Sequence, residues 1–277
     1  MRQALRPVFY GSAIVTLVAG CGASGATSGG TVEAAPVVER FAYGTFSVRY
    51  EGVSHGTIEQ MGQTVEFGLR YFLTAEAAMA AAAARLSLTV DSIPEFSGQG
   101  TSQADAEAAA GMTFTGILSP HGEILDFSGG EDAESQFIQR LRTGFQRFVP
   151  RVPENGAAPG ETWTDSLQTT TGGEGVEISV ETVTRSEAVE WTERDSVRAL
   201  HVIRVSDYTL SGAGSQMGTE FTVDGTGVRH EHRYLGADGT YLGGTAADTS
   251  NATALVTAMG MEIPILQIQH DTLRIVR

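Results

Sequence analysis

From Phe41 onward the chain alternates apolar and polar residues with a period of two, the pattern that sends successive side chains to opposite faces of a strand. Phe46, Val48 and Tyr50 alternate with Ser47, Arg49 and Glu51; Val65, Phe67, Leu69 and Tyr71 alternate with Thr64, Glu66, Gly68 and Arg70; Leu86, Leu88 and Val90 repeat the pattern. Met112, Phe114, Gly116 and Leu118, then a Pro120-His121-Gly122 turn and the run from Glu123 to Phe127, predict a hairpin. The later half continues with Val176-Ile178-Val180, Val189-Trp191, Val197-Ala199-His201-Ile203-Val205, Met217-Thr219-Phe221-Val223, Val228 to Tyr234 and Met261-Ile263-Ile265, and Asp238-Gly239 marks a tight turn. About ten or more strands in succession predict a mainly β fold: a strongly curved antiparallel meander, half-open or closed as a barrel, because flat sheets of that size are rare.

Two segments depart from this period. Glu131 to Phe148 places Phe137, Ile138, Leu141, Phe145 and Phe148 on one helical stripe, with acids in its first turn and Arg140, Arg142 and Arg147 towards its end. It predicts one mid-chain amphipathic helix over 131–148. The Pro- and Gly-rich loop 149–160 follows and separates two strand sets, which together make a single β-rich domain over 41–277. The alanine-rich run Ala75 to Ala84 fits either a short helix or the small-residue ends of two paired strands.

The N-terminus carries a different signal. Arg2 and Arg6 precede an apolar run from Val8 to Val18, too short to remain as a membrane span, which needs about 20 apolar residues. The run ends in Leu17-Val18-Ala19-Gly20-Cys21, which resembles the lipobox of bacterial lipoproteins. That resemblance implies a signal peptide over 1–20, lipid attachment at Cys21, and residence in the cell envelope. Gly22 after the cysteine implies the outer membrane, facing the periplasm or the cell surface. Residues 21–40 are small and polar without periodicity and read as a flexible tether. An anchor with more than one acyl chain holds a protein stably at a bilayer, whereas one chain does so only marginally.

Composition narrows the chemistry. Cys21 is the only cysteine, so the folded part has no disulfide framework and no thiolate metal site. All 18 basic residues are arginine, which excludes Schiff-base chemistry and a Walker lysine. The net charge of −15 argues against nucleic acid or anionic membrane surfaces as partners, since both contacts need a basic face. No Gly-x-Ser-x-Gly elbow and no calcium loop occurs in the chain. His230-Glu231-His232 sits in a predicted strand, where residues two apart share a face, so both imidazoles could approach one metal; a polar strand face is the plainer reading. In Pro159-Gly160-Glu161-Thr162-Trp163 the tryptophan fits either a recognition loop or a plug at the start of a strand.

The order of lipobox, tether, long antiparallel strands, mid-chain amphipathic helix and Pro-rich loop into a Gly-x-x-Trp strand resembles a group of uncharacterised bacterial lipoproteins, on the strings Ser119-Pro120-His121-Gly122 and Pro159-Gly160-Glu161-Thr162-Trp163. More distantly, a curved sheet closed by helices is similar to the LolA/LolB and mycobacterial LprG/LppX lipid-handling lipoproteins. Neither resemblance supplies catalytic residues. The expectation is a non-enzymatic, membrane-tethered domain, without cofactor or metal, that binds a hydrophobic ligand or an envelope partner in a curved sheet. Its candidate ligand contacts are Phe137, Leu141, Phe145 and Trp163. The alternatives are a structural or interaction lipoprotein without a small ligand, and a metal-dependent hydrolase using His230 and His232.

Overall fold

A computed structural model of the chain describes residues 39–276 except 81–82, 98–101, 132, 134, 174–175 and 217–218. The expected signal peptide, Cys21 and nearly all of the tether lie outside the described residues, as does Met217. Val38–Arg277 forms one compact unit.

Eleven strands make one antiparallel sheet. A first meander comprises β1 (Phe46–Gln60), β2 (Gln63–Ala80), β3 (Ala83–Ser97), β4 (Thr113–Leu118) and β5 (Ile124–Ser128). A second comprises β6 (Thr162–Gly173), β7 (Val176–Arg194), β8 (Val197–Gln216), β9 (Thr219–Gly236), β10 (Tyr241–Val256) and β11 (Met261–Ile275). The spatial order is β5-β4-β3-β2-β1-β11-β10-β9-β8-β7-β6. Every neighbour is a sequence neighbour except at the joint between β1 and β11, where the first and last strands pair from Tyr50 opposite Ile275 to Gln60 opposite Ile265. The sheet stays open, with β5 and β6 as its edges.

The alanine run resolves as strand ends: Ala80 of β2 pairs with Ala83 of β3. The helix expected over 131–148 is shorter, as α2 (Gln136–Phe145), preceded by α1 (Gln103–Ala109). Local polar bonds explain the late start of α2. The Gly129 N–H donates to the Glu131 carboxylate (2.7 Å), and the Gln139 amide donates to the carbonyls of Gly130 and Ala133 (2.9 Å each), which ties these residues down ahead of the helix. At the other end, the Arg147 and Phe148 N–H groups bond three residues back, to Gly144 and Phe145 (3.1 Å each), and tighten the last turn before Pro150. The short α1 is unforeseen. Ser102 and Asp105 form its capping box, each side chain accepting the other residue's backbone N–H.

Register irregularities bend the sheet, in β2–β3 near Phe72, in β7–β8 near Ala188, and in β9–β10 between Tyr241 and Gly244. At the last of these Gly243 has φ +84°, and a Cβ there would stand 2.2 Å from the Leu273 carbonyl, so only glycine fits. The concave face collects the core at one end. Tyr50, Leu73, Leu200, Leu235 and Tyr241 are fully buried there, and Phe148 packs edge-on against Tyr50 and Tyr241 with centroids at 5.3 and 5.6 Å. The Tyr50 hydroxyl donates to the Tyr241 carbonyl.

Candidate functional site: a two-sided cavity under helix α2

Above the packed end, the concave face is not filled. A half-open cavity of about 870 Å³ lies between the inner face of the sheet and α2, within the usual range of about 300–1,000 Å³ for small-molecule sites. Its two walls differ in chemistry because the inward-facing row of each strand differs.

The apolar wall comes from β1 and β2. Antiparallel pairing sets Ser54 opposite Leu69, Gly56 opposite Phe67 and Ile58 opposite Val65, so alternate residues of both strands point the same way. Ile58, Val65, Phe67, Leu69 and Tyr71 line the cavity together with Phe96 from β3 and Leu273 from β11, and each is only half-buried. On the helix side, Phe137, Leu141 and Phe145 recur every four residues and turn towards the sheet. They are 5, 8 and 4% exposed, so most of each ring or side chain is core and only a margin meets the cavity. Phe137 packs edge-on against Phe96 at 5.3 Å.

The other wall is polar. Arg229 and Arg233 of β9, and Gln267, Gln269 and Asp271 of β11, line it. Behind them Glu231 is buried and receives hydrogen bonds from Arg204 (2.6 Å), Arg229 (2.9 Å) and Arg233 (2.6 Å). Arg229 also bonds Asp271 (2.7 Å) and reaches Asp248 (3.4 Å), whose other oxygen accepts the Tyr208 hydroxyl (2.6 Å). Burial alone raises the Glu231 pKa, but Arg233, Arg204 and Arg229 outweigh it and hold the carboxyl well below the usual carboxylate range. Three guanidiniums and three carboxylates thus balance, and this network is neutral as a whole.

Two arginines are left over. Arg140 and Arg147 both line the cavity from the α2 side, and neither has a carboxylate within 4.0 Å among the described residues. Arg147 donates to the Thr169 hydroxyl (2.8 Å) on β6. It is open to water, yet the surrounding concavity desolvates its guanidinium and, with Arg151 adding repulsion, lowers its pKa.

Of the residues expected to contact a ligand, Phe137, Leu141 and Phe145 come together at the cavity and Trp163 does not line it. Trp163 stands at the start of β6, half-buried against the core, with its indole N–H donating to the Arg151 carbonyl (3.1 Å). His230 and His232 share a face, but it is the outer one, and both are exposed. His232 meets His201 across the strand pair, Nδ1 to Nε2 at 3.0 Å, and the His201 pKa is lowered by burial and then by that neighbour. No group of three or more His, Cys, Asp or Glu among the described residues is arranged to hold a metal ion. The sheet-side residues Phe67 and Leu69, and the charged row Arg229, Glu231 and Arg233, were not among the expected contacts. The signal for the charged row is in the sequence, as opposite charges at period two inside a strand.

No protein-family model and no curated protein sequence matches this chain.

Proposed function

We propose that this protein is a membrane-anchored bacterial lipoprotein of the cell envelope, held by an acylated Cys21, that binds a hydrophobic molecule without transforming it. The observation that carries the reading is the cavity between α2 and the sheet, whose β1–β2 wall leaves Ile58, Val65, Phe67 and Leu69 half-exposed on an inner face. Apolar surface left facing water in a concavity is costly, and each methylene of a ligand buried against it contributes about 0.8 kcal/mol. The lipobox resemblance at residues 17–21 supports the anchor and the envelope location, and the tether that follows supports a domain standing off a bilayer.

The test is mass spectrometry of molecules extracted from the natively purified protein, beside a Leu69→Trp variant that fills the cavity. A lipid or other apolar species is expected to co-purify with the parent and to be lost from the folded variant. An extract free of such species, with no uptake of added amphiphile, sinks the reading.

A further inference from the structure

Arg140, Gly144 and Arg147 are spaced four and three residues apart, which sets them in one row along α2 and the turn that continues it. All three line the cavity, and all three are exposed within it. The row flanks the apolar row of Phe137, Leu141 and Phe145. Between the two arginines in this row, a Cβ built on Gly144 meets no atom within 4 Å beyond the helix's own backbone, so the space over Gly144 stands open. The chain as a whole carries 33 acidic residues against 18 arginines. Among the described residues only Arg85, Arg140 and Arg147 lack an acid partner, so two of the three unpaired arginines face this one cavity. The polar wall does not neutralise them, because its acids are engaged by Arg204, Arg229 and Arg233. Asp165, which acts on Arg147 through space, is bound by Arg151 at 3.4 Å.

We infer that the cavity takes an anionic amphiphile, a single-chain or lipid molecule whose phosphate or carboxylate sits in the gap over Gly144 between Arg140 and Arg147 while its chain lies on the β1–β2 wall. This rests on the reading of the cavity as a hydrophobic binding site and adds the charge of the head group. Guanidinium donors match phosphate and carboxylate oxygens in pairs, and a glycine between them keeps the approach clear.

The experiment measures binding of four probes that share a hexadecyl chain: the phosphate, the carboxylate, the maltoside and the trimethylammonium. Inorganic phosphate is the competitor, and native mass spectrometry of the purified chain the readout. The two anions are expected to bind about tenfold more tightly than the maltoside, and the cation more weakly than the maltoside. The double variant Arg140→Gln, Arg147→Gln is expected to lose that tenfold preference and to keep maltoside binding. Gly144→Phe, which fills the gap on an exposed helix position, is expected to weaken the anions selectively with an unchanged urea midpoint. Equal affinity for anion, neutral probe and cation overturns the inference and leaves the hydrophobic site standing. A preference that survives the double variant overturns it too, as does displacement of hexadecyl phosphate by an equal concentration of inorganic phosphate, which marks an anion site to which the chain adds nothing. If none of the four probes binds, the hydrophobic reading itself falls.

Discussion

Glu231 shows how much one inward-facing residue organises. Its side chain is 6% exposed and answers three guanidiniums, themselves 13 to 27% exposed, so removing its charge leaves Arg204 and Arg233 without a carboxylate in a poorly solvated space, while Arg229 keeps Asp248 and Asp271. Glu231→Gln is therefore expected to cost about 3 kcal/mol at neutral pH, read as a lower urea midpoint. The folded carboxyl titrates below its unfolded value, so its contribution is present above the ordinary carboxylate range and is lost as pH falls towards the folded value. The gap between parent and variant should then narrow below about pH 4. A gap that stays constant from neutral to acid pH refutes the assignment. From the letters alone, the His230-Glu231-His232 string draws attention to its imidazoles, yet it is the carboxylate between them that points inward. Nothing in the alternation says which of two polar rows is the buried one.

Among the elements, strands and helices differ in how plainly they are written. The apolar stripe of α2 and the hairpin from β4 to β5 follow directly from periodicity, and the two-meander division follows from the loop 149–160. The ends of α2 do not, because they depend on side-chain bonds from Glu131 and Gln139 to the backbone of their own turn. In α1, Ser102 is a readable cap masked by an alanine-rich run, whose small residues Ala106 and Ala109 bury against the sheet. Ser102→Ala is expected to cost about 1 kcal/mol and to speed hydrogen exchange of the α1 amides while the strand amides stay protected. Equal protection in α1 of both proteins counts against the cap. In β8 the apparent apolar stripe Val197-Ala199-His201-Ile203-Val205 is the outer row. The inner row runs Leu200, Val202, Arg204, Ser206 and Tyr208, opposite Leu235, Arg233, Glu231, Arg229 and Gly227 of β9. The inversion arises because a neutralised charge network occupies the inside, so polarity no longer reports the buried face.

For the whole molecule, the joint between β1 and β11 is decisive. Among the described residues it is the one strand pairing between the two meanders, and it brings residues more than two hundred positions apart into register. It also holds the two walls of the cavity against each other, the apolar one in β1–β2 and the polar one in β9–β11. Deleting residues 261–277 opens both meanders at once, and the expected outcome is loss of the single cooperative urea transition together with general protease sensitivity. A truncated chain that still unfolds in one transition at the parent's midpoint contradicts this view of the fold.

The residues of the chain alone determine the strand character of most of its length, the single amphipathic stripe of α2, and the absence of lysine and of any cysteine beyond Cys21, since these are properties of period and composition. Which strands become neighbours, which row of β8 and β9 turns inward, and the open space left over Gly144 beside Arg140 and Arg147 are tertiary facts. Period two is the same on both faces of a strand, and a cavity exists only where distant rows meet without filling the space between them.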